Sequence, residues 1–268
     1  MVYLKLFETE QERQACEETQ DYVSYTEDTD KVNIHQEEGP FLCKLTLDNG
    51  QVVKIEGSGE IPGGMLFDYS ATTVSAEIGT LCTSLGQGAF FQFHSMTSVT
   101  IPNSVITIGE TVFYGCNSLL SVNIPDSVTS IGESAFIYCQ HLSSVTIGNS
   151  VTSIGNNAFY NCYALSSITI PNSVTSIDYE AFKTCSGLTS VIIGSGVTSI
   201  GGAAFQDCQS LVNITSLATT APQILDYTFQ MVATNGTLYV PQGSSGYDTW
   251  MQNANYYLGL YGWTKVEQ

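Results

Sequence analysis

Basic residues are scarce in this chain. Seven Lys and Arg stand against 25 Asp and Glu in 268 residues, a formal net charge of −18. A surface of that sign repels phosphate backbones and anionic lipid, so neither nucleic acid nor a membrane surface is expected as a partner. Long apolar runs are missing as well. None approaches the ~18 residues of a membrane span, so no membrane insertion is expected. The opening MVYLKLFETEQERQAC has no apolar segment and carries acids where a signal peptide carries bases. No signal peptide is therefore expected. Histidine occurs three times, and no glycine-rich phosphate loop, nucleophile elbow or metalloprotease helix is present. With 43% apolar and 12% charged residues, the chain is not a disordered polyelectrolyte, and its length allows a large core.

What is present is a period. From Thr97 to Leu211 one 23-residue phrase occurs five times, beginning TSVTIPNSVITIGETVFYGCNSL, and a looser copy precedes it from Val74. Such a period marks a solenoid in which each unit is buried only by its neighbours. Read from its cysteine, the phrase is C-x-x-L-x-x-V-x-I-P-x-x-V-x-x-I-G-x-x-A-F. In the third copy the inward set is Cys139, Leu142, Val145, Ile147, Val151, Ile154, Ala158 and Phe159. Val145 and Ile147 alternate with Ser144 and Thr146, the period of a half-buried strand. Pro or Gly then turns the chain at Pro102, Pro125, Gly148, Pro171 and Gly194. The A-F segment has room for one helical or 3₁₀ turn. Each copy makes one circuit, and stacked circuits pair their strands into a parallel sheet.

Cys116, Cys139, Cys162, Cys185 and Cys208 share one repeat position. Stacking sets them roughly 4.8 Å apart with parallel Cβ vectors, whereas a disulfide needs Cβ atoms about 3.8 Å apart and converging. Phe93 fills this slot in the first copy. Buried free thiols are expected.

The phrase resembles the BspA-like leucine-rich repeats found in surface proteins of anaerobic bacteria and some parasites, over residues 74 to about 230. The resemblance implies an α/β solenoid of leucine-rich-repeat type, curved and right-handed, with one strand per repeat, a parallel sheet and short helical or 3₁₀ turns. It implies adhesion and protein binding without catalysis. It also implies a C-terminal cap with a Y-V-P strand and a short helix, which fits residues 212–268, where the pattern decays and TLYVP appears. Residues 74–211 hold the six repeats, and residues 1–73 have none. The latter read as a small α+β N-terminal unit or cap. YLKLFET, YVSY and KVNIH are strand candidates and EQERQACEET a polar helix. FLCKLTL and QVVKIEG flank Asp48-Asn49-Gly50, a hairpin signal with positive-φ chemistry at Asn-Gly. The opening segment also resembles leaders on virion or surface proteins of gut bacteria and their phages.

No catalytic residue, metal site or cofactor is expected. His141 lies near Cys139, but the neighbouring copies place Ser118, Ala164, Gly187 and Ser210 at its position. Glu110 and Glu133 stack without a continuing row and read as a solvated face. Asn103, Asp126, Asn149 and Asn172 follow the strand and read as caps of local backbone groups. Their row carries one acid, too little charge for Ca²⁺.

Surface is what remains. Ser98, Thr100, Ser121, Asn123, Ser144, Thr146, Ser167, Thr169, Ser190 and Ile192 point outward from the strands as a neutral ladder. Larger side chains stand at positions the repeat leaves free. These are Tyr114, Ile137, Tyr138, Tyr160, Tyr163 and Tyr179, the candidate binding surface, since Tyr brings large contact area at low entropy cost. The expected function is a non-enzymatic recognition or adhesion module for a protein or glycan at a cell surface. The rival is a structural or receptor-binding part of a phage virion or surface assembly, attached through residues 1–73, which would also be the unit that joins copies of the chain.

Overall fold

The structure, a computed structural model, describes residues 41–268. The strand and helix expectations before Phe41 lie outside the described residues. After an antiparallel hairpin the described chain is a parallel β-solenoid, the fold class the period implies.

Each repeat contributes two strands, not one. The first series is Thr73–Ile78, Ser98–Thr100, Ser121–Asn123, Ser144–Thr146, Ser167–Ile170, Ser190–Ile193 and Asn213–Ser216. The second lies across the next corner, in an eight-stranded parallel sheet running from Gly59–Ile61 through Ser153–Ile154 to Gln223–Ile224. The T-S-I triplet makes this second strand. Its isoleucine is buried in every copy while the residue before it is partly or fully exposed. Registers are identity pairs, Ser153 on Ser130 and Ile154 on Ile131, because a strict 23-residue period brings like over like.

The A-F corner is not helical. Two positions per repeat take positive φ, one before the A-F pair (Thr111, Ser134, Asn157, Glu180, Ala203) and one before the cysteine (Gly115, Tyr138, Asn161, Thr184, Asp207). Left-handed backbone costs roughly 1–2 kcal/mol for a non-glycine residue. It turns alternate N–H groups toward the next coil: Thr111 donates to Glu133, Phe113 to Ala135, Gly115 to Ile137, and the same bonds recur in the following copies. A helix would have spent those donors within the coil. The only 3₁₀ segments among the described residues, Phe67–Tyr69 and Leu258–Tyr261, lie outside the repeats.

The inward set is buried as the period requires, with one exception. Cys139, Leu142, Val151, Ile154, Ala158 and Phe159 have no exposed surface and Ile147 little, but Val145 is half-buried. The first strand series is divided at this coil. A six-stranded sheet ends at Ser144–Thr146 and a separate five-stranded one begins at Ser167–Ile170. Leu120, Ser143, Thr189 and Val212 each donate an N–H to the coil before, and Ser166 makes no such bond to Ser143. Pro171, which follows Ser167–Ile170, has no N–H, but Gly148 and Gly194 at the same repeat position also make no bond to the coil before, and of these positions Leu217 alone does. Pro102 follows the strand Ser98–Thr100, which still pairs over three residues with the six-residue strand Thr73–Ile78 of the coil before. Ser144–Thr146 is three residues long and has no rungs in reserve. Ser121–Asn123, which precedes Pro125, keeps one pair with Ser98–Thr100 of the coil before, whose Val99 is also half-buried.

Both ends are closed. Cys43–Leu47 and Val52–Ile55 form the expected hairpin, packed antiparallel on Thr73–Ile78. Only Gly50 takes positive φ there, while Asn49 accepts the Gln51 N–H through Oδ1. At the other end Thr237–Val240 and Thr264–Glu267 extend the sheet. Trp263 lies against Gly236, where any Cβ would meet its ring at 2.4 Å.

Seven phenylalanines, from Phe90 to Phe229, stack through the core with centroids 5.1–5.9 Å apart. Trp250 closes the stack 5.3 Å from Phe229. The five ladder cysteines are free and buried, each S–H reaching the carbonyl of a phenylalanine 26 positions earlier at 3.2–3.3 Å.

Two predictions follow from this core. Phe159→Ala empties a slot between two stacked rings and should cost about 3–5 kcal/mol. A denaturant titration showing a loss under about 1 kcal/mol would contradict the stack. Burial raises the thiols, Cys185 from 9.0 to about 12. The folded chain thus holds protons that the unfolded chain releases. This stability is full below the ordinary thiol value and is lost as pH rises from about 9 toward 12, by about 1.4 kcal/mol per thiol per pH unit. Urea midpoints measured from pH 8 to pH 11 should fall steeply, and less steeply in Cys139→Ala/Cys162→Ala. Equal slopes would show that the thiols do not contribute.

Candidate functional site

The outer A-F corner carries the aromatic side chains the core does not use. Phe91, Tyr114, Ile137, Tyr160 and Lys183 occupy one repeat position, directly after the buried phenylalanine. Phe91 stacks on Tyr114 at 4.9 Å. At the next coil the row holds Ile137, and the ring comes instead from its neighbour Tyr138. Tyr138 lies edge-on to Tyr114 at 5.6 Å and to Tyr160 at 6.1 Å. The left-handed backbone at Tyr138, φ 62°, belongs to the corner geometry that recurs in every repeat. Lys183 sets its ammonium 5.8 Å from the Tyr160 ring centre and pairs with Glu180 at 2.6 Å.

Of the six residues read from the sequence, Tyr114, Tyr138 and Tyr160 form one run of touching rings, with half-buried Ile137 in the same row. Tyr163 and Tyr179 are the most exposed of the six, at 39% and 53%, and no ring contact joins them to the run. Tyr179 covers Gly202 of the next coil. Its hydrogen bond to Glu180 and that carboxylate's charge raise the phenol above its usual value. Phe91 and Lys183 extend the run at either end. The signal for both was the repeat position they share with Tyr114.

A second feature lies on the strand face, where the ladder is interrupted. A cleft of about 500 Å³ opens there between the coils of Ser144–Thr146 and Ser167–Ile170. Ser144, Thr146, Asn149, Ser167 and Thr169 edge it, and Val145, Ile147, Ile168 and Pro171 form its apolar wall. No charged side chain lines it. The sequence showed the hydroxyl ladder but not the cleft.

The reactive side chains are occupied by structure. The His141 ring contacts the Asn117 carbonyl at 2.7 Å, and the His94 ring the Gly115 carbonyl at 2.8 Å. The Asx row caps backbone as expected, but in the following coil rather than locally. Asp126 accepts the Asn149 N–H at 2.7 Å, and Asn172 accepts that of Ser195 at 2.9 Å. Among the described residues no group of three or more His, Cys, Asp or Glu is placed to hold a metal ion. None of their helices is long and apolar enough to cross a membrane.

Among solved structures, a leucine-rich repeat protein of Treponema pallidum is 23% identical, with 62% of this chain and 78% of that one covered and a TM-score of 0.47. A leucine-rich cell surface protein of Faecalibacterium prausnitzii is 20% identical over 81% of this chain and 85% of that one, with a TM-score of 0.33. A leucine-rich repeat protein of Bacteroides ovatus is 15% identical over 92% and 98%, with a TM-score of 0.39. No curated protein matches. The model of the BspA-type leucine-rich repeat region matches six copies, over residues 63–189 and 180–246. These are the residues that build the paired strands, the phenylalanine stack and the thiol ladder, and the chain belongs to the BspA-type leucine-rich repeat family.

Proposed function

We propose that this protein is a non-enzymatic recognition module, displayed at a cell surface, that binds a protein or glycan along its outer A-F corner. The observation that carries this reading is the run Phe91–Tyr114–Tyr138–Tyr160. These rings cross four coils at positions where the core makes no demand, since the equivalents of Phe91, Tyr114 and Tyr160 elsewhere are Lys183 and Gln206, and those of Tyr138 are Asn161, Thr184 and Asp207. Large rings held by their neighbours lose little entropy on binding, and such anchors dominate interface energies. Repeat-protein family membership supports the binding role at the level of fold and nothing finer.

Tyr138→Ala/Tyr160→Ala tests it. Each change removes edge contacts worth about 0.5–1.5 kcal/mol per ring pair, so the double variant should stay folded. Binding energy should fall by roughly 2 kcal/mol or more, about 30-fold in Kd. The measurement is an array of immobilised host-surface proteins and glycans, probed with both chains. A ligand that holds the double variant as tightly as the native chain would remove the corner from consideration.

A further inference from the structure

The cleft on the strand face has no place in that reading, and its chemistry is different. We infer that the break in the ladder between Ser144–Thr146 and Ser167–Ile170 is a second binding site, and that its ligand is a neutral saccharide. The ring contacts of the corner do not enter the inference.

Three observations support it. The cleft has the size of a small-molecule site, about 500 Å³ against the usual 300–1,000 Å³. It lies where the pairing between neighbouring strands is lost altogether, between in-register pairs on either side. Ser144 pairs in register with Ser121, and Ser167 with Ser190, whereas Ser144 and Ser167 belong to different sheets. Its rim offers hydroxyls and one amide, from Ser144, Thr146, Asn149, Ser167 and Thr169, and no charge.

The chemistry of the rim selects the ligand class. A hydroxyl both donates and accepts, so a row of them matches a partner made of hydroxyls. An anion finds no cation in the lining and meets a chain of net charge −18. A cation finds no carboxylate there. A saccharide also presents apolar ring faces, and Val145, reached through the opening, supplies a matching wall. No aromatic platform lines the cleft, so affinity should be modest, with Kd on the order of 1 mM.

The test is saturation-transfer NMR on the full chain with maltose, cellobiose, lactose and diacetylchitobiose. Sialyllactose and a neutral Ser-Val hexapeptide serve as competing classes. The expected result is binding of at least one neutral disaccharide, weakened about tenfold or more in Thr146→Val/Thr169→Val. That variant keeps β-branched side chains on exposed strand positions, so its unfolding midpoint should hold. Thr100→Val, on the same face but away from the cleft, should leave binding intact, as should Tyr138→Ala/Tyr160→Ala. The inference is overturned if no neutral disaccharide binds at about 10 mM, if the cleft variant binds normally, or if Thr100→Val weakens binding equally. Capture of sialyllactose or the peptide alone also overturns it.

Discussion

Everything in this molecule depends on passing backbone hydrogen bonds from one coil to the next at the spacing of paired strands, about 4.8 Å. A coil of 23 residues has no partner for most of its polar backbone within itself, and a buried unpaired N–H or C=O costs about 1–3 kcal/mol. The chain meets that demand on both strand series and again at the corner, where Phe113, Phe136, Phe159 and Phe182 each donate to the coil that follows. Side chains continue the same habit. Thr152, Thr175 and Thr198 reach carbonyls 23 residues back, and the cysteines reach carbonyls 26 back. At the inward positions the identity of each residue is thus set by the residues stacked above and below it.

That constraint explains what the sequence made legible. Periodicity reports which side chains meet their own copies, and Phe136, Cys139, Leu142 and Ile154 were placed inward on that basis and are buried. It does not report how the backbone turns. The short Ala-Phe segment after Ile-Gly reads as a single helical or 3₁₀ turn because of its length. The corner instead uses left-handed residues, most of them Thr, Ser, Asn, Glu, Tyr or Asp rather than Gly, so composition gives no warning. The T-S-I strands were missed for a related reason. Two residues are too few to show alternation, and only pairing with neighbours makes them strands. The resemblance to BspA-like repeats carried the family and the fold class, but its single strand per repeat understates this chain.

The candidate surface was legible in part. Free positions were identified by their variation among copies, which located Tyr114, Tyr138 and Tyr160. Contact between them was not available from spacing, because Tyr138 stands one residue out of the row and replaces the ring that Ile137 lacks. Exposure alone would have favoured Tyr179, which instead rests on Gly202 and Glu180.

A solenoid held by repetition is most informative where repetition fails. The last full coil is 24 residues long, so Ser199 pairs with Gln223 and Asn213 with Thr237, yet Phe229 still stacks on Phe205, at the longest spacing in the row. The extra residue is absorbed because the pairings on both strand series shift with it in this coil. A missing pairing is not absorbed in that way. Ser166 makes no bond to Ser143, and the adjoining strands fall into separate sheets. The core does not follow, since Phe159 and Phe182 remain 5.2 Å apart and within 5° of parallel. The fault is confined to one face because the corner and the T-S-I sheet carry the load across it. A repeat fold can therefore open a cleft in its surface without weakening the stack beneath.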